Sequence, residues 1–320
     1  MLPSRSSCNE YKMTAQGEIA HTRIGPTSCT SRSDTIIIPS QLRIGCSFEF
    51  AVPRDVHAIV IVEPHETERP RVVRERFVGP HGTQSATYPD AFGNQCRRIT
   101  LPAGLTTFTY DAVVTNDAGF DPIDHTAREV PPSELPHDVM GYLLPSRYCP
   151  SDDLATTAWE RFRTVTPGWA RVADIVAWTN DHLTFAYGSS SPTKTATDAL
   201  RDRTGVCRDF AHLTITMCRA LNIPARYVVG YLPDIAVPDP GTPMDFCAWT
   251  EIYLGDRWYT FDPRNHAQRR VGRTVIGRGR DAADVAMTTI FGQARLLTMT
   301  VQAEAAADSP PQAEPGPAPT

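Results

Sequence analysis

The stretch Gly205-Val206-Cys207-Arg208-Asp209-Phe210-Ala211-His212 carries the strongest chemical signal in the chain. Gly205 permits a tight turn. The apolar spacing that follows predicts a long helix over Val206–Leu221. Cys207 then sits in the first helical turn, where unpaired N–H groups and the positive end of the helix dipole favour thiolate over thiol. A thiolate is the nucleophile of covalent acyl chemistry, so this placement suits that class of reaction. The chain holds 8 cysteines: Cys8, Cys29, Cys46, Cys96, Cys149, Cys207, Cys218 and Cys247. In 320 residues that number reads as mostly reduced thiols, not a disulfide framework. Cys218 lies three turns further down the same apolar helix and reads as core packing.

The elements that must position this helix read as α+β. Leu42, Ile44, Cys46, Phe48, Phe50 and Val52 alternate with Arg43, Gly45, Ser47, Glu49 and Ala51, the period of a half-buried strand. Short strands are expected over 58–62 and 72–78, then a turn at Pro89–Asn94. Alternation resumes through Phe108, Tyr110, Ala112 and Val114. Residues 41–115 therefore read as an N-terminal antiparallel β domain, a scaffold or substrate-guiding wall. A proline-rich connector is expected over 116–150. The core, 151–302, opens with helices over 151–162, 169–183 and 197–203. After the Cys207 helix come strands near 225–231, 248–254 and 257–261. Residues 1–40 show no period and no apolar stretch of about 7–15 residues, so they read as a disordered arm without a signal peptide. Residues 303–320 hold five prolines and no aromatic residue, which predicts a disordered tail.

Charge and motif content narrow the partners. The balance of 31 Lys+Arg against 36 Asp+Glu gives −5, which argues against a phosphate-dominated nucleic-acid binder. No apolar run approaches the ~20 residues of a membrane-spanning helix. Phosphate-binding glycine loops, dinucleotide fingerprints and CxxC spacing are absent. The expectation is a cytoplasmic protein with no cofactor, no metal, no nucleic-acid partner and no membrane partner.

Three separated stretches occur in a telling order. They are the Gly205–His212 stretch, Cys218–Leu232, and Asp245-Phe-Cys-Ala-Trp-Thr-Glu-Ile-Tyr-Leu-Gly-Asp-Arg-Trp-Tyr-Thr-Phe-Asp-Pro-Arg264. Together they resemble the core of the bacterial transglutaminase-like superfamily. The strand-rich region from 42 resembles the β domain that precedes this core in one branch, and Arg278–Ala286 resembles that branch's C-terminal element. The resemblance implies a papain-like Cys–His–Asp triad. In it cysteine attacks an acyl carbon, histidine activates the thiol and protonates the leaving group, and aspartate orients the histidine. By position the nucleophile is Cys207 and the orienting carboxylate is Asp262 in Phe261-Asp262-Pro263. The middle position departs: where the family has histidine, this chain has Cys247 within Asp245-Phe246-Cys247-Ala248-Trp249.

A thiol with an ordinary pKa near ~8.5 does not replace imidazole. A thiolate at 247 would repel one at 207, so the pair should carry a single charge. General-acid help to an expelled amine, typically worth ~10²–10⁴-fold, is weakened, and thioester donors suffer least. His212 lies five residues beyond Cys207, about 140° round the helix, and points elsewhere. His266 lies four residues beyond Asp262, in an expected loop from which it could swing in as a substitute base, and His182 reads as structural. Tyr187 is a candidate side-chain oxyanion donor beside the Cys207 backbone N–H. Several readings stay open. The chain is a thiol enzyme of altered chemistry acting on an acyl or peptide-like substrate by transfer or hydrolysis, or a non-catalytic binding protein, or a two-thiol isomerase using Cys207 and Cys247. A disulfide between the two thiols is a further option.

Overall fold

A computed structural model describes residues 10–13, 18–22, 35–37, 39–116, 121–235, 243–265 and 272–306. Three short strands, β1 (Glu10–Met13), β2 (Glu18–Thr22) and β3 (Thr35–Ile37), pair antiparallel. The segment expected to be a disordered arm thus carries strands, and its other residues up to 38 lie outside the described residues.

Six strands follow: β4 (Gln41–Val52), β5 (Val56–Val60), β6 (Val72–Val78), β7 (Ala86–Pro89), β8 (Gln95–Leu101) and β9 (Gly104–Thr115). The apolar members of β4 are buried, as their alternation predicts. Phe48 and Phe108 face each other across the β4–β9 ladder with ring centroids 4.9 Å apart. Each such buried ring stabilises the fold by about 1.5–3 kcal/mol relative to exposure.

The helical part contains α1 (Ala155–Phe162), α2 (Trp169–His182), a two-residue strand β10 (Thr184–Phe185), α3 (Ala196–Asp202), a second such strand β11 (Thr204–Gly205) and α4 (Cys207–Ala220). Every residue of α4 from Asp209 to Arg219 is buried. It is the central helix, enclosed by the other three helices on one side and by a sheet on the other. That sheet contains β12 (Ala225–Tyr231), β13 (Cys247–Leu254), β14 (Arg257–Phe261) and β15 (Thr274–Gly279) in the antiparallel order β14-β13-β12-β15.

The chain then returns to its first half. β16 (Thr288–Ile290) pairs with β5, and β17 (Arg295–Ala305) runs the length of β4. The two resulting sheets have orders β17-β4-β9-β6 and β16-β5-β8-β7. This corrects the sequence-based boundaries. The β unit is not confined to 41–115, the core does not extend to 302, and 303–305 are strand, not tail. The outer strand β17 is largely exposed and mixes Thr, Gln and Glu with Leu and Met, so its apolar period is faint. Residues 307–320 lie outside the described residues.

Buried polar contacts lock the halves together. The Tyr231 hydroxyl donates to the Val62 carbonyl at 3.0 Å, and the His65 N–H donates to the Val275 carbonyl at 2.9 Å. Phe246 lies between Phe48 and Tyr231, with centroids 6.3 and 5.2 Å away.

Candidate active site

Cys207 is the first residue of α4, and the local sequence explains why the helix starts there. Val206 is extended, and its N–H donates to the Asp209 carboxylate at 2.9 Å, closing the N-terminus. The side-chain half of a capping box is missing because valine has no acceptor. Asp209 also accepts from the Ser190 hydroxyl at 3.0 Å. A Cβ on Gly205 would lie 2.6 Å from the Asp209 Cβ, so glycine is required here by close approach.

Cys247 is the first residue of β13 and is buried among Val228, Leu232, Trp249 and Val275. Cys207 is only partly buried and packs against that cluster. Its sulfur lies 3.9 Å from the Phe246 carbonyl oxygen. Both thiols are free. A hydrogen bond from the Cys247 thiol is the main influence lowering the Cys207 pKa; burial opposes it, while the Ala248 N–H and the Arg264 guanidinium assist. The same bond, burial and the charges of Cys207 and Asp262 push the Cys247 thiol well up. A negative charge on the pair is therefore favoured on the sulfur at the helix start, where the dipole also favours it.

Asp262 lies just beyond β14, as expected, but no imidazole among the described residues meets it. It accepts from Arg273 at 2.9 Å and from the backbone and side-chain nitrogens of Asn265, each at 3.0 Å. Arg273 is 9% exposed, also pairs with Asp121, and lies over the Trp249 ring at 5.5 Å. The β unit supports it: Arg71 donates to the Arg273 carbonyl at 3.1 Å. Arg264 places its guanidinium 4.0 Å from the centroid of Phe185, whose partner in the β10–β11 ladder is Gly205. Its charge favours the thiolate of Cys207 and opposes the rise at Cys247. The loop that carries Arg264 is tied to α2 by Asn180, which donates to the carbonyls of Pro263 and Arg264 at 2.7 and 3.0 Å.

Tyr187 is 57% exposed on the rim, with its ring edge-on to Phe185 at 5.0 Å. The loop after it is anchored by buried Lys194, which donates to the carbonyls of Ser189 and Thr204, both at 2.9 Å. Arg208 folds onto this loop through Ser190 and Ser191. Its separation from Asp209 is 3.9 Å, so the two make little of an ion pair. Glu251 is buried and held by Arg226 and Arg278.

Among the described residues no histidine completes a triad with Cys207 and Asp262. His212 is fully buried, points away between Tyr148 and Tyr227, and accepts from the Ala282 N–H at 3.2 Å. His182 donates to the Leu200 carbonyl at 2.9 Å and stacks on Trp178. His266 lies outside the described residues. Among those residues no group of His, Cys, Asp or Glu could hold a metal, and no helix is long and apolar enough to cross a membrane.

Sequence reasoning placed Cys207, Cys247 and Asp262 in one region but missed Arg264, Arg273 and Asn180. Arg264 adjoins Asp262-Pro263 and was visible as an unassigned cation. Arg273 and Asn180 carry no local signal, since their roles come from the tertiary fold.

Residues 156–263 match the transglutaminase-like superfamily. An uncharacterised protein of Mycobacterium leprae is 28% identical over 232 residues, spanning 70% of this chain and 81% of that one. One from Mycobacterium tuberculosis is 27% identical over 245 residues, spanning 69% and 77%. The crystal structure of a candidate cysteine protease from Cytophaga hutchinsonii superposes with a TM-score of 0.73 at 29% identity, covering 85% of this chain and 93% of that one. Residues 156–263, which carry Cys207, Cys247 and Asp262, thus form a transglutaminase-like domain, and the α+β fold resembles that of the Cytophaga hutchinsonii protein over most of its length.

Proposed function

We propose that this chain is a transglutaminase-like thiol enzyme that transfers or hydrolyses acyl groups through a Cys207 acyl-enzyme, and that it favours donors whose leaving group departs without a proton. The observation that carries this reading is the polarised thiol pair: Cys207 is favoured as thiolate at the start of α4, and Cys247 is held as thiol beside it. The thiolate attacks the acyl carbon, and backbone N–H groups at the helix start stabilise the developing oxyanion. Arg264 and the dipole supply the positive charge that an imidazolium supplies in a Cys–His pair. Arginine keeps its protons at every working pH, so it cannot protonate an amine. A thiolate leaving group needs no such help. Water or another nucleophile then takes the acyl group. Asp262, bound to Arg273, fixes charge beside the site instead of orienting a base. Contact between the two thiols counts against a two-base isomerase, which needs a substrate carbon between its bases.

The test compares turnover of thioester, ester and amide donors by wild type, Cys207→Ala and Cys247→His. The expected result is thioester turnover by wild type, none by Cys207→Ala, and a gain of amide turnover in Cys247→His. Failure of wild type on all three donors would overturn the proposal in favour of a binding protein. Turnover that survives in Cys207→Ala would overturn it as well.

A further inference from the structure

Nothing in acyl transfer requires a second thiol, yet Cys247 is a thiol that faces the nucleophile. The remaining described cysteines are unlike Cys207. Burial pushes Cys96 up to about 11 and Cys46 and Cys149 up to about 12, and it raises Cys218 also. Their thiols are inert near neutrality. Cys207 combines partial exposure with a helix start, and the Arg264 charge favours its thiolate, the setting in which a thiolate meets oxidants. Cys247 is shielded from solvent at 5% exposure but not from Cys207.

We propose that Cys207 and Cys247 form a two-thiol redox centre that reduces hydroperoxides, with Cys207 as the attacking sulfur and Cys247 as the resolving one. The Cys207 thiolate attacks the terminal peroxide oxygen. An S–O bond forms, the O–O bond breaks, and the remainder leaves as an alcohol, or as water, after taking a proton from solvent. Cys207 has then lost two electrons and is a sulfenic acid. The Cys247 sulfur attacks it, its proton passes to the departing hydroxide, an S–S bond forms, and water leaves. In sum, two thiols and one hydroperoxide give one disulfide, one alcohol and one water. Two equivalents of a small-molecule thiol restore the pair by exchange. Because Cys207 packs against the buried cluster that holds Cys247, the resolving sulfur lies beside the sulfenic acid, which favours resolution over further oxidation. This inference does not depend on the acyl chemistry proposed above, although the disulfide would remove the nucleophile and silence that chemistry.

The experiment treats reduced full-length protein with one equivalent of hydrogen peroxide and reads intact mass, the peptide map and iodoacetamide labelling of Cys207. Expected are the loss of two hydrogens, a Cys207–Cys247 cross-linked peptide, and lost labelling that dithiothreitol restores. In Cys247→Ser the cross-link should vanish and Cys207 should gain oxygen instead. Wild-type protein that adds oxygen at Cys207 without a cross-link, or that links Cys207 to a different cysteine, would overturn the proposal, and this arm needs no variant to fold. Thioester turnover in a protein that never cross-links leaves the acyl reading standing alone. Cross-linking in a protein that never turns over a donor leaves the redox reading standing alone.

Discussion

In the proposed thiol enzyme a cysteine, not an imidazole, partners Cys207, and this sets the electrostatics of the sulfur at the start of α4. Cys247 gives a hydrogen bond but no positive charge, and the charge comes from Arg264 and the start of α4. Because the Cys207 pKa is lowered, its thiolate persists below the range of a free thiol and is lost as pH falls through the lowered value. Iodoacetamide labelling of Cys207 should therefore reach half its maximal rate below the midpoint of an unstructured cysteine. Cys247→Ala should move that midpoint up the most, and Arg264→Gln should move it up less. An unchanged midpoint in both variants would contradict the assigned causes. At this scale the sequence was half legible. Cys207 announced itself by following Gly205 at a helix start, and Cys247 by breaking a motif. Arg273 could not be read, because its partner Asp262 lies eleven residues away, past the end of β14, while Arg273 precedes β15.

At the level of elements, α4 sets the site because its N-terminus is both capped and crowded. Gly205→Ala would drive a Cβ into the Asp209 side chain that caps Val206. It should cost about 1–3 kcal/mol, measurable by urea unfolding, and slow Cys207 labelling as well. An equally stable variant with unchanged labelling would show that the cap is not rigid. The same helix buries His212, whose pKa burial and the neighbouring arginines hold well below the usual histidine value. The unfolded chain takes up a proton near pH ~6.5, while the folded chain does so only at lower pH. Stability is thus fully present above that point and is lost as pH falls from it toward the folded value. The urea midpoint should drop between roughly pH 7 and 5, and His212→Phe should flatten the slope, leaving the share of His65, also lowered by burial. A slope that His212→Phe leaves unchanged would refute this assignment. Helices 169–183 and 206–221 and the strands after them were legible to within a residue or two because each carries a strong apolar period.

Across the whole molecule, the β unit grips the segments on which the site depends. Phe246, one residue before Cys247, is wedged between Phe48 and Tyr231, and Arg71 holds the Arg273 backbone. Phe246→Ala should cost about 3–5 kcal/mol and loosen the thiol pair. Calorimetry should show the loss, and labelling should show the Cys207 midpoint shifting toward an ordinary thiol. Retained stability would mean that the wedge is not a wedge. The long-range topology was the least legible level. Nothing local tells β17 that its partner is β4, some 250 residues earlier by rough count, since pairing at such separation is set by the assembled core and not by propensity.

The central claim is that Cys207 is the acylated nucleophile. Its most direct test is intact-mass and peptide analysis of the protein mixed with an acyl thioester and quenched before turnover completes. The account predicts one acyl group per chain, located on Cys207 and absent from Cys207→Ala. An adduct on any other residue, or no adduct with thioester, ester or amide donors across the pH range in which Cys207 is thiolate, would contradict it.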